Sequence, residues 1–162
     1  MNADSDIADI VRGIRGFGGL DEPGVAALAS AATLMSLAEG AVVYEQDEDS
    51  YDVYFIVSGL VAIRASLPGS GGGRRATDPE LIVLRSGAFF GVYAFLDGAR
   101  RDMNAVARER SLVLRFDGPL LKAACEAEPR VGRAAYELFG KAAARNARDI
   151  SMELRTLMAE RA

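Results

Sequence analysis

Apolar positions along this chain change their period twice. Between residues 5 and about 31, Ile7, Ile10, Val11 and Ile14 recur at spacings of three and four, which places them on one face of a helix. Gly18-Gly19 interrupts that pattern. Asp21-Glu22-Pro23 then reads as a second helix start, with acids in the first turn and Pro near its beginning, and Val25, Leu28 and Ala29 form the buried face. From Thr33 to Asp117 the pattern shortens into β-like runs: Thr33–Leu37, Ala41–Tyr44, Val53–Val57, Leu60–Ser66, Leu81–Leu84 and Leu112–Phe116. Turn residues punctuate them at Glu39-Gly40, Asp47–Ser50, Ser58-Gly59, Ser86-Gly87 and Asp117-Gly118. Many short, closely spaced strands predict a β-sandwich or jelly roll. The piece Pro68–Pro79, with Gly71-Gly72-Gly73 and Arg74-Arg75, reads as a flexible loop whose arginines sit at a solvated hairpin tip.

After Pro119 the helical period returns. Residues 119–126 make a short helix, Glu128-Pro129 breaks it, and residues 130–161 form a long helix of roughly 45 Å at about 1.5 Å per residue. Tyr136, Ala143, Ile150 and Leu157 repeat every seven residues there, with Phe139, Ala147 and Leu154 between them. This pattern suits a dimer seam with small residues at its middle. It also suits a helix packed on its own β-domain, and a mixture places the first half on the domain and the second half on a partner.

Composition narrows the chemistry. A length of 162 residues fits one domain spanning 1–162. The net charge of −4 argues against general nucleic-acid binding, which needs clustered positive charge. A small anionic ligand, needing one or two arginines, remains open. The chain has no histidine, which removes histidine general bases, Ser-His-Asp triads and histidine-ligated metals. The single cysteine, Cys125, cannot close an internal disulfide and reads as a core residue beside Leu120, Leu121 and Ala124. The longest apolar runs fall far short of the roughly 20 residues of a spanning helix, and the acidic start lacks a signal peptide's basic region. The expectation is a cytoplasmic protein that is not an enzyme, with no positioned acid pair, nucleophile–base set or metal cluster.

Two stretches carry a recognisable pattern. Val42 to Gly59 runs strand, acidic turn (Asp47–Ser50), then Tyr54-Phe55-Ile56-Val57-Ser58-Gly59 before the next strand. Arg85 to Arg101 contains Gly91 and, ten residues later, Arg101. These resemble the opening hairpins and the phosphate-binding cassette of cyclic-nucleotide-binding domains, the family of catabolite activators, protein kinase A regulatory subunits and gated channels. The resemblance covers about residue 12 to the end. It implies an α+β fold: a β-roll or jelly roll of about eight antiparallel strands over 33–117, N-terminal helices over 1–31, a cassette over 87–105 with a short helix, a hinge helix over 119–126 and the long helix over 130–161. It implies that Gly91 lets the backbone approach a cyclic phosphate, that the amides of Tyr93, Ala94 and Phe95 open the cassette helix towards it, and that Arg101 supplies the guanidinium. Ser111 and Asp117 fall where the family's next turn and strand end usually place Ser and Asp.

The departures bear on the ligand. The family's cassette glutamate, which accepts from the ribose 2'-hydroxyl, is Val92 here. An unpaired buried hydroxyl costs about 1–3 kcal/mol. Asp102 follows the arginine and would repel a phosphate or pair with Arg101. Asn104 replaces a hydroxyl residue and still offers an amide donor. A shift of one residue would align Val106 with the family's valine and put Asp102 in the arginine's place; the Arg101 register is adopted here. An ungapped alignment of the long helix brings Asn146 to the base-capping position, where it either reads a purine edge or sets the register of a helix seam. An alternative reading pairs Arg101 with Asp97 or Asp102 in a degenerate cassette. Arg100 beside Arg101 offers a second charge, which would suit a cyclic dinucleotide.

The expectation is therefore a regulatory ligand-sensing domain for cAMP, cGMP or a related anion, signalling through its C-terminal helix as a homodimer or to a partner protein. The alternative is a non-binding version that serves as an interaction module. The activators carry a DNA-reading motif after the long helix; this chain stops at Ala162, so direct DNA binding is not expected, nor is membrane binding.

Overall fold

The computed structural model describes residues 3–66 and 78–161. The predicted Gly71–Gly73 and Arg74–Arg75 loop lies outside them. Two helices, α1 (Ala3–Gly13) and α2 (Glu22–Ser30), precede the β-region. Asp21 caps α2 by accepting from the Gly24 amide at 3.0 Å, with Pro23 in the first turn, as its sequence demands.

Eight strands follow among the described residues: β1 (Ala32–Leu37), β2 (Val42–Tyr44), β3 (Val53–Ser58), β4 (Leu60–Arg64), β5 (Glu80–Arg85), β6 (Phe89–Phe90), β7 (Asn104–Ala107) and β8 (Ser111–Phe116). They form two antiparallel four-stranded sheets, ordered β1-β8-β3-β6 and β2-β7-β4-β5. This is the α+β jelly roll expected. Two apolar clusters result: Ile56, Val61 and Val113 are fully buried between the sheets, while Val53 and Leu114, on the other face of β3 and β8, are fully buried with Val11, Leu28 and Phe139 of the helices.

Between β6 and β7 lies the short helix α3 (Val92–Asp97). The chain ends in α4 (Gly118–Ala127) and α5 (Pro129–Glu160), the latter 32 residues and about 48 Å long. Asp117 caps α4 through the Leu120 amide. Val131, Ala135 and Phe139 hold the first turns of α5 on the core. Phe139 meets Phe89 and Phe95 edge-on, with ring centroids 5.4 and 5.5 Å away. Asn146 is the last buried residue of the helix; beyond it Met152, Leu154 and Met158 are exposed. Of the sequence repeat, Phe139 is buried on the β-domain, Ala143, Ile150 and Leu157 are half-buried, and Tyr136, Ala147 and Leu154 are exposed.

Candidate functional site

Arg101 is 3 % exposed, which is unusual for a guanidinium. The sequence brings three segments to it. The acidic turn after β2 clamps its backbone: the Asp47 amide donates to the Arg101 carbonyl at 2.8 Å, and the Arg101 amide donates to the Glu48 carbonyl at 3.0 Å. The side chain then enters the domain. Its Nε donates to Ser50 Oγ at 3.0 Å, Nη1 to the Gly91 carbonyl at 2.8 Å and Nη2 to the Asp52 carbonyl at 2.8 Å. Its guanidinium carbon lies 4.1 Å from the centroid of Tyr44, within cation–π range. Tyr44, Tyr54 and Phe90 pack as a ring cluster beneath it.

Gly91 makes this approach possible. Its φ of +75° is a left-handed conformation, and a Cβ there would stand 2.8 Å from the Asp52 carbonyl oxygen and 3.0 Å from Arg101 Nη1. Only glycine fits. The two stretches singled out in the sequence therefore meet at one side chain.

What is missing around Arg101 is a counter-charge. None of the ion pairs among the described residues involves it. The alternative pairing with Asp97 or Asp102 is not formed. Carbonyl dipoles orient a guanidinium without cancelling its charge, and removing an ion from water costs several kcal/mol. A guanidinium has five N–H groups and the protein uses one on each of three nitrogens, so two remain.

Arg101 lines a pocket with Tyr44, Ile63, Ile82, Phe90, Gly91, Val92, Tyr93, Ala94, Asp102, Met103, Asn146 and Ile150. The enclosed cavity between them is small, about 30 Å³, room for a water or two, so a larger ligand enters only as α5 or α3 shifts outward. The Tyr93 hydroxyl reaches the Ala143 carbonyl at 3.4 Å, bridging α3 to α5 across the rim. Asn146 and Ile150 close the pocket from α5. Asn146 is 7 % exposed, and its amide has no hydrogen-bond partner among the described residues. The Tyr44 hydroxyl is likewise unpartnered, and burial, opposed by Arg101, pushes its pKa well up. Asp102 is exposed as a residue, yet desolvation of its carboxyl first, and then Asp97, raise its pKa while Arg101 opposes them.

Of the expected site residues, Gly91, Val92, Tyr93, Ala94, Arg101, Asp102 and Asn146 line this pocket. Three do not, and each has a physical reason. Asn104 is buried and occupied: its Oδ1 accepts from the Gln46 amide at 2.8 Å, and its Nδ2 donates to Ser66 Oγ at 2.8 Å, tying β7 to the ends of β2 and β4. Phe95 turns away to pack on Phe139 and Tyr136. Arg100 is exposed and donates to the Asp47 carbonyl at 3.2 Å, so Arg100-Arg101 does not form a double charge in the pocket.

Sequence reasoning missed Tyr44, Ser50 and Asp52. Asp52 is the most connected. Its carbonyl accepts from Arg101, while its carboxylate accepts from Arg115 Nε at 2.6 Å and from the Gly118 amide at 2.8 Å. It thereby joins the guanidinium to the first residue of α4.

A jelly roll with a buried arginine beside a helix-roofed pocket has the architecture of a regulatory ligand-binding domain. The family model of the cyclic nucleotide-binding domain matches residues 34–128, and the chain belongs to that family. Among solved structures, the chain is similar to a cyclic nucleotide-binding domain from Methylobacillus flagellatus KT, with TM-score 0.73 and 18 % identity over 94 % of this chain and 83 % of that one. It is also similar to the catabolite activator protein of Thermus thermophilus, with TM-score 0.64 and 25 % identity over 88 % and 62 %. A third similar structure is the regulatory domain of Toxoplasma gondii PKA, in co-crystal with cAMP, with TM-score 0.65 and 17 % identity over 83 % and 49 %. No curated protein matches the chain. Among the described residues, no helix is long and apolar enough to cross a membrane.

Proposed function

We propose that this chain is a cytoplasmic ligand sensor that binds a small anion at Arg101 and reports its presence through α5. One observation carries the reading: a buried guanidinium without counter-charge faces a pocket whose roof presents an unpartnered amide, Asn146. An anion would neutralise Arg101 and occupy its two remaining N–H groups. The same anion would contact α5 through Asn146 and reach α4 through Asp52. Ligand binding then biases the seating of α5, by as much as the ligand's affinity differs between the two seatings. The similar Toxoplasma structure holds cAMP, which makes cAMP and cGMP the first probes.

Calorimetry of the chain with cAMP and cGMP tests the reading, with Arg101→Ala as control and a melt of that variant to show it folded. Binding that vanishes in the variant supports it. Affinity unchanged in Arg101→Ala refutes the site.

A second reading follows from the exposed Met152, Leu154 and Met158 on the distal half of α5. The long helix mates there with a second copy or a partner protein, with or without ligand. Sedimentation of a chain carrying Glu at all three positions tests it. Retention of the wild-type mass and partner binding refutes it.

A further inference from the structure

The wall beside Arg101 is apolar. Val92, directly after the glycine that contacts the guanidinium, is 1 % exposed, as is Phe90, and Ile63, Ile82 and Ile150 continue the lining. The polar atoms are few: the two remaining N–H groups of Arg101, the Tyr44 hydroxyl, the Asn146 amide and, at the rim, the Asp102 carboxyl. A ligand hydroxyl placed against the Val92 side chain leaves water and finds no acceptor on that side chain. That costs about 1–3 kcal/mol, or roughly 5- to 150-fold in affinity. A second negative charge fares no better. Among the described residues only one guanidinium lines the pocket, Arg100 is turned out onto the Asp47 carbonyl, and Asp102 repels further anionic charge.

We infer that the pocket is built for a monoanion whose body beside the charge carries no hydroxyl. The class comprises hydroxyl-free organic carboxylates and cyclic phosphodiesters, with a hydrogen-bonding group for Asn146. Ribose-bearing nucleotides and dianionic phosphomonoesters are the ligands it disfavours. The inference rests on the reading of this pocket as a ligand site and narrows what enters it.

Calorimetry of the full chain with cAMP, its 2'-deoxy analogue and indoleacetate tests it. The 2'-deoxy analogue is expected to bind at least about 5-fold tighter than cAMP. Val92→Gln, which restores an acceptor, is expected to bring that ratio towards one; where this variant does not fold, the wild-type ratio alone decides. Binding of indoleacetate without either nucleotide supports the inference and identifies a carboxylate as the anion. Equal or tighter binding of cAMP overturns the inference while leaving the sensor reading intact. Absence of binding by all three at about 10 mM overturns both. Binding that Asn146→Leu leaves unchanged overturns the assigned contact with the roof.

Discussion

Asn146→Leu separates a ligand site from a structural residue. A structural asparagine is hydrogen-bonded, and replacing it destabilises the fold. Asn146 is 7 % exposed and has no partner among the described residues, so in the ligand-free protein its amide is only partly solvated and makes no hydrogen bond within the protein. Such a group costs about 1–3 kcal/mol. The open mouth lets water reach part of the amide, so the lower end applies, about 1 kcal/mol. Leucine is also the better helix former, by up to about 0.5 kcal/mol, within 32-residue α5. The variant should therefore be about 1.5 kcal/mol more stable, which in a domain of this size raises Tm by roughly 3–6 °C. Urea unfolding and thermal melts read the change, with an Asn146→Ala chain to separate propensity from desolvation. A fall in stability for Asn146→Leu would refute the reasoning, because it would mean the amide is already satisfied within the protein.

Gly59 has φ +96°, and a Cβ there would lie 2.2 Å from Ser111 Oγ and 2.7 Å from Ser111 Cα; Gly59→Ala should lose more than about 2 kcal/mol, read as a lower urea midpoint. Burial first, then Glu126, pushes the Cys125 thiol up to about 11. The unfolded chain ionises this thiol at about pH 8.5–9, the folded chain only near 11, so the unfolded state binds fewer protons between those values and stability falls as pH rises through them. Cys125→Ala should flatten that fall, and an unchanged slope would remove the thiol as its cause. Asp102, held above the ordinary carboxylate range by desolvation and Asp97, becomes neutral as pH falls through its raised value. Anion affinity should rise over that interval, and in Asp102→Asn it should be higher at pH 7 and lose this dependence; a dependence that persists excludes Asp102 as its source.

Most of the fold is legible in the sequence because its strands alternate and its turns carry Gly or acids. β3 and β8 fall within a residue of their predicted limits. β6 and β7 escape for different reasons. Phe89-Phe90 is too short to show a period, and all four residues of Asn104–Ala107 are buried, so no alternation exists. At the site, the spacing of Gly91 and Arg101 is readable because both side-chain identities matter. Asp52 is not readable in the same way. It meets Arg101 through its backbone carbonyl, 49 residues away in sequence, and a carbonyl leaves no trace in residue type. Asn104 shows the converse. Its amide suits a ligand, but the Gln46 amide, 58 residues distant, reaches it first.

Phe139, held between two rings, has a mechanical consequence. In the change of seating proposed above it would be the fulcrum of α5. Asn146 lies seven residues beyond it, about 10 Å, and Glu160 lies 21 residues beyond, about 31 Å. A ligand that lifts the helix by about 1 Å at Asn146 would swing the tip by about 3 Å, with the force there reduced by the same factor. Such an arm trades force for travel, so whatever reads its tip must respond to where the helix points rather than to how hard it pushes.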